Sequence, residues 1–189
     1  MIKRSLFALF LFVGVTLSAQ QKLSVEEIYT GVFRAKGMDE LQALKNTNQY
    51  TVLNTDRGSR SQQIDLYDYA TLKKVSTLLD TKNHKELTDG IDSYTFSANE
   101  KQILIANNSN PIYRHSFTAD FYLYDITTKS LRKVLEQAQE PLFSPDGSKI
   151  AYAKANNLFV MDVASGNSTA ITNDGEKNAI INGITDWVY

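Results

Sequence analysis

Residues 96–106 read Phe96-Ser97-Ala98-Asn99-Glu100-Lys101-Gln102-Ile103-Leu104-Ile105-Ala106, and residues 143–153 repeat the phrase as Phe143-Ser144-Pro145-Asp146-Gly147-Ser148-Lys149-Ile150-Ala151-Tyr152-Ala153. Each is an aromatic strand end, a polar turn and a new apolar strand. Pro145 presets the φ of the turn, Asp146-Gly147 supplies the hairpin conformation, and the strand restarts at Ile150. A second phrase occurs three times, as Ile64-Asp65-Leu66-Tyr67-Asp68, Phe121-Tyr122-Leu123-Tyr124-Asp125 and Leu158-Phe159-Val160-Met161-Asp162, each leading into a turn and another strand. Units recurring every 40 to 50 residues or so, with about four strands apiece, are the signature of propeller blades. The fold class is therefore all-β, a β-propeller, with helical periodicity absent from residue 50 onward. Asp125 and Asp162 fall at strand ends, where a short carboxylate accepts backbone N–H groups of the turn; they read as turn caps rather than as metal ligands or catalytic acids.

Working outward, the chain has 189 residues, 42 % of them hydrophobic and 22 % charged, which is the composition of a folded globular protein. Its formal charge of -1 comes from dispersed residues, so there is no basic stripe to gather phosphates, and nucleic acid is excluded as a partner. At the start, Lys3 and Arg4 precede an apolar run over 6–17 and then Ser18-Ala19-Gln20. That layout predicts a signal peptide over 1–19, since a membrane span needs about 20 apolar residues. The chain has no cysteine. Export without disulfides or a lipid-modified cysteine points to a bacterial periplasm or cell envelope, or to secretion. The sequons at Asn107 and Asn167 read as incidental surface sequence. Ser24-Val25-Glu26-Glu27 matches a capping box and predicts one short helix in a lead-in over 20–49. The propeller portion is assigned to 50–189. The residues after the signal suffice for about three to four blades, whereas closed propellers have four to eight. With Asp186-Trp187-Val188-Tyr189 reading as an interrupted strand, a partial propeller is the expectation.

The sequence holds no G-x-S-x-G elbow, no C-x-x-C, no H-E-x-x-H and no glycine-rich phosphate loop, so neither catalytic residues, a metal nor a cofactor is assigned. Of the two histidines, His84 lies in the polar stretch Thr81-Lys82-Asn83-His84-Lys85 and reads as a solvated loop residue. His115 belongs to Tyr113-Arg114-His115-Ser116, which interrupts the blade pattern just before a strand. Arg114 there is open to two readings, a structural ion-pair partner or a clamp for a carbonyl or carboxylate.

The stretch Tyr113-Arg114-His115-Ser116-Phe117-Thr118-Ala119-Asp120-Phe121-Tyr122-Leu123-Tyr124-Asp125, followed at blade distance by Asn182-Gly183-Ile184-Thr185-Asp186-Trp187-Val188-Tyr189, closely resembles the N-terminal propeller of dipeptidyl peptidase IV, in the prolyl oligopeptidase family of serine peptidases. The resemblance covers residues 23–189, with the first part of that span weakly matched. It implies a larger exported enzyme in which an eight-bladed propeller gates a C-terminal α/β-hydrolase domain that bears a Ser, Asp and His triad. It implies that Arg114 faces the central cavity and binds a substrate carbonyl, and that glutamates directly after D-W-V-Y hold the free N-terminus of the peptide. The expected partners are peptides with a free N-terminus, the hydrolase domain of the parent chain and, as a candidate assembly, a second copy. The expected activity of the parent is release of X-Pro or X-Ala dipeptides, with the fragment alone not catalytic. The alternative is a non-catalytic periplasmic propeller scaffold in which Arg114 is structural.

The charged start and short apolar run carry one direct expectation. A parent protein made in a bacterium should be recovered from the envelope or periplasm with its N-terminus at or near Gln20. N-terminal sequencing of the exported protein checks this, and an intact Met1 would refute it.

Overall fold

A computed structural model describes residues 24–34, 41–56 and 58–185. The signal-peptide segment and the Asp186-Trp187-Val188-Tyr189 stretch lie outside these residues. The chain divides into two compact units, Met1–Met38 and Asp39–Tyr189. Within the first, α1 (Val25–Tyr29) carries the expected capping box. Ser24 Oγ accepts from the Glu27 N–H at 3.1 Å, and a Glu27 carboxylate oxygen accepts from the Ser24 N–H at 3.0 Å.

The second unit is built from antiparallel meanders. The first blade comprises β1 (Leu41–Ala43), β2 (Gln49–Thr55), β3 (Gln62–Asp68) and β4 (Lys74–Asp80), hydrogen-bonded in sequence order. The second comprises β5 (Ser93–Phe96), β6 (Gln102–Pro111), β7 (Phe117–Asp125) and the first half of β8 (Ser130–Phe143). The third takes the second half of β8, then β9 (Lys149–Lys154), β10 (Asn157–Asp162) and β11 (Ser168–Ala170). The described residues thus form three four-stranded blades, and the sheets do not close on one another, as a partial propeller requires.

One strand departs from the simple picture of separate sheets. β8 is continuous, pairing with β7 as far as Ala138 and with β9 from Gln139, so the second and third blades form one seven-stranded sheet. The change of partner coincides with a register irregularity between Gln139 and Leu142 and with positive φ at Gln137 (47°) and Glu140 (48°). Positive φ at residues with a Cβ costs energy, so the surroundings must hold it in place.

The repeated phrases occupy equivalent places. Phe96 and Phe143 end the first strands of their blades, and the next hairpins are closed by the Ser97 N–H to Gln102 O and the Ser144 N–H to Lys149 O, both 2.9 Å. Asn99 Oδ1 accepts from Ser97 Oγ at 2.8 Å and from the Lys101 N–H at 3.1 Å. Asp146 does the same work with Ser144 Oγ at 2.5 Å and the Ser148 N–H at 3.0 Å. Gly147 adopts φ of 72° in this turn. The first blade has the counterpart that its sequence disguises. The Leu44 N–H bonds Gln49 O at 3.0 Å, so the sheet begins at β1, inside the segment read as lead-in. Three-residue β1 is too short to show alternation, and Leu44 replaces the serine of the phrase.

Alternation along β6 and β7 distributes the core. Ile103, Ile105, Tyr122 and Tyr124 face the first blade and meet Ile64, Leu79, Leu87 and Ile91. Leu104, Ala106, Phe121 and Leu123 face the third and meet Ile150, Tyr152 and Met161. The second blade is therefore buried on both faces. Polar bonds add registration: Thr51 Oγ1 and Tyr94 Oη are 2.9 Å apart, and Tyr124 Oη donates to Leu78 O at 2.9 Å.

Two sequence readings are corrected by this interface. His84 is half-buried rather than solvated, its ring set edge-on to Tyr124 with centroids 5.6 Å apart, because the polar crossover between the first two blades runs over their seam. Asn107 is buried rather than at the surface; its Nδ2 donates to Gly90 O at 2.5 Å, where Gly90 turns the chain at φ of 95°. Asn167 is exposed as read.

Because adjacent β6 side chains serve different seams, Leu104→Ala and Ile105→Ala should each cost about 2–5 kcal/mol, the range for truncating a fully buried aliphatic side chain. Urea unfolding of the two variants measures this. A cost under about 1 kcal/mol, as at a surface site, would show that the seam in question is not packed.

Candidate functional site

The Arg114 motif occupies the connection between β6 and β7, the second and third strands of the middle blade. Six consecutive pairs, from Gln102 with Asp125 to Asn107 with Asp120, run regularly; then the register shifts, and Asn110 pairs with Thr118 and Pro111 with Phe117. Asn108 makes the shift with φ of 56°. Beyond it the two strands form an arm whose tip is closed by the Ile112 and Tyr113 N–H groups, which donate to Ser116 O at 2.8 and 3.2 Å. Tyr113 is 71 % exposed, and Arg114 and His115 are exposed beside it. Tyr113, Arg114 and His115 are thus brought together at one tip, as expected for a loop that interrupts the blade.

Arg114 makes no hydrogen bond or ion pair among the described residues, whose ion pairs all involve lysines. The reading of Arg114 as a structural ion-pair partner therefore finds no partner among them. A guanidinium without a partner among these residues has five N–H donors to offer a ligand.

At the root of the arm lies Asp120, which the sequence reading did not single out. It is 8 % exposed and accepts from the Gln137 N–H at 3.0 Å, Gln137 Nε2 at 3.2 Å, Lys133 Nζ at 3.0 Å and Asn108 Nδ2 at 3.4 Å. Gln137 Oε1 in turn accepts from Asn110 Nδ2 at 3.0 Å and Thr118 Oγ1 at 2.8 Å, one residue from each leg of the arm. Burial pushes the Asp120 carboxyl up, but the Gln137 N–H, the Lys133 ammonium and the amides of Gln137 and Asn108 outweigh it and hold the group below its ordinary value. The available signal was a charged residue inside the apolar run of β7, a position that demands partners.

The opposite end of the same strands is different in character. A cleft of about 310 Å³ between the second and third blades is lined by Asp125, Asp162 and Arg132 among others. Asp125 accepts from the Thr127 and Thr128 N–H groups at 2.9 and 2.7 Å, and Asp162 from the Ser165 N–H at 2.9 Å. Arg132 donates to Val163 O. The carboxylates are turn caps, as read from the sequence, and Asp68 does the same with the Thr71 N–H at 2.8 Å. Among the described residues no group of three or more His, Cys, Asp or Glu is placed to hold a metal.

Comparison with known proteins points to the same stretch. Residues 97–189 match the family model for the dipeptidyl peptidase IV N-terminal region. Dipeptidyl peptidase 4 of Felis catus is 36 % identical over 117 residues, covering 60 % of this chain and 15 % of the relative. A probable dipeptidyl-aminopeptidase B of Emericella nidulans is 27 % identical over 186 residues, covering 91 % of this chain and 20 % of the relative. Among solved structures, that of Porphyromonas gingivalis dipeptidyl peptidase 4 superposes with a TM-score of 0.75 at 29 % identity, over 89 % of this chain and 24 % of that one. The chain spans 15 % of the length of the first of these relatives and 20 % of the second. The resemblance drawn from the Arg114 motif is borne out.

The depressed Asp120 carboxyl fixes a pH dependence. Its contribution to stability is complete above the unfolded value, about 3.9, and is lost as pH falls through the lower folded value. Asp120→Asn removes that titration, so the drop in urea midpoint between about pH 5 and about pH 2 should be smaller in the variant than in the parent sequence. Equal drops would show that Asp120 is not held in its ionised form.

Proposed function

We propose that this chain, whose residues 97–189 match the family model for the dipeptidyl peptidase IV N-terminal region, is the substrate-gating propeller portion of an exported serine exopeptidase that releases X-Pro or X-Ala dipeptides from peptide N-termini. The observation that carries the reading is Arg114: an exposed guanidinium, unpaired among the described residues, at the tip of an arm whose root is tied by a buried carboxylate. In this reading Arg114 donates to a carbonyl of the bound peptide. A charged, planar donor makes a shorter and stronger bond to a carbonyl oxygen than a neutral one does, and fixes direction as well as distance. Holding the acyl portion in place turns the attack on the scissile bond into a positioned reaction. In this reading the propeller contributes recognition, and bond cleavage belongs to a hydrolase domain that bears the triad. Export is supported by the charged start and the short apolar run over 6–17.

The test requires the full-length parent. Arg114→Ala should lower kcat/KM for an X-Pro substrate by about 2–4 kcal/mol, the scale for losing a charge-assisted hydrogen bond in a desolvated site. Arg114→Lys should recover part of the loss, because an ammonium keeps the charge without the fork. Unchanged kcat/KM per folded molecule in the Ala variant, with Tm measured on the same preparation, would reject the assignment and favour a scaffold.

A further inference from the structure

The tip that presents Arg114 has little to hold it. Beyond the Pro111–Phe117 pair, the tip is closed by the Ile112 and Tyr113 N–H groups on Ser116 O, and among the described residues no side-chain hydrogen bond ties 112–116 to the blade. The direction of the tip is therefore inherited from its root. There the two legs, paired at Asn110 and Thr118, converge on a single amide oxygen, Gln137 Oε1. Gln137 belongs to β8, where the strand leaves the second blade, and holds φ of 47°. A non-glycine residue keeps such a φ only if its surroundings over-determine it. Asp120 does so, accepting both the N–H and the Nε2 of Gln137 while Lys133 balances its charge. Asn108, the positive-φ residue at the register shift of the other strand, donates to the same carboxylate.

We propose that Asp120 is a positioning residue for Arg114: by fixing Gln137 and Asn108 together it sets the direction in which the β6–β7 arm presents the guanidinium to a peptide carbonyl. The proposal rests on the reading of Arg114 as a carbonyl clamp. Asp120 touches no substrate in this scheme and acts through the arm alone. A carboxylate is suited to the task because its two oxygens accept from three different residues, whereas a carboxamide loses acceptor capacity and the Lys133 pair. Misplacement of a binding group by an ångström costs up to about a hundredfold in rate, so a looser root is felt at the tip.

The experiment uses the full-length parent with Asp120→Ala, Asp120→Asn, Arg114→Ala and the Asp120→Ala, Arg114→Ala double variant, together with amide hydrogen exchange on the same proteins. Asp120→Ala should lower kcat/KM for an X-Pro substrate about tenfold, chiefly through KM, with Asp120→Asn intermediate. The double variant should be no worse than Arg114→Ala alone, because a group acting only through Arg114 has nothing left to position. Exchange in residues 108–119 should speed up in Asp120→Ala while β2 and β3 keep their protection. Losses that multiply in the double variant, or unchanged exchange in the arm, would overturn the proposal. If Arg114→Ala itself costs nothing, the clamp reading fails instead, and the exchange data still decide whether Asp120 holds the arm. Should Asp120→Ala not fold, Asp120→Asn carries the same comparisons.

Discussion

Two-sided burial of the middle blade is the constraint on which the rest of this structure depends. Neighbouring side chains of β6 and β7 point to opposite faces, as in any strand, and here both faces are apolar and covered: Ile103, Ile105, Tyr122 and Tyr124 on one, Leu104, Ala106, Phe121 and Leu123 on the other. A one-residue slip in the pairing would exchange the two sets and mismatch both seams at once, so the register is held from each side. Burial of each large aliphatic side chain contributes about 1.5–3 kcal/mol, which is the source of the rigidity that the arm beyond these strands draws on.

Polar groups in the same unit follow a division of labour. At the strand ends and turns, Asp68, Asp125, Asp146 and Asp162 accept N–H groups of their own turns; the Asp146 carboxyl is held down to about 2, first by Ser144 Oγ and then by Ser148. Such groups shape local backbone and remain in contact with water. Inside the sheets, Asp65 and Asp120 are buried and tie together residues distant in sequence. Asp65 accepts from Asn54 Nδ2 at 2.9 Å, Thr77 Oγ1 at 2.7 Å and Lys74 Nζ at 2.7 Å. A buried carboxylate without partners would be far too costly to keep, so each of these two marks a place where several strands must agree.

The arm that bears Arg114 shows how one connection departs from a regular blade. In the third blade the same connection is minimal: β9 and β10 are joined through Ala155 and Asn156, both at positive φ, in a two-residue turn. In the middle blade the strands instead pass a bulge and run on to an exposed tip. Bulges re-aim the chain beyond them, and the polar root supplies the stiffness that an extension outside the core lacks. The exposed side chains of the tip and the packing side chains of the seams are thereby kept on separate residues of the same two strands and their connection.

Sequence by itself determined the blade architecture, the turn phrases around Ser97 and Ser144, the capping aspartates and the loop character of the Arg114 stretch, because each of these is a local property: alternation, turn propensity and strand-end capping act within a few residues. It also placed Arg114 at an interruption of the blade pattern. Tertiary structure alone decided the rest. The start of the sheet at Leu41, the shared strand β8, the half-burial of His84 against Tyr124, the burial of Asn107 on Gly90, and the convergence of Asn108, Lys133 and Gln137 on Asp120 all depend on which residues meet across strands or blades. A buried aspartate in an apolar strand announces that partners are required. Only the folded chain, in which β8 turns at Gln137 and passes beside the legs of the arm, determines who those partners are.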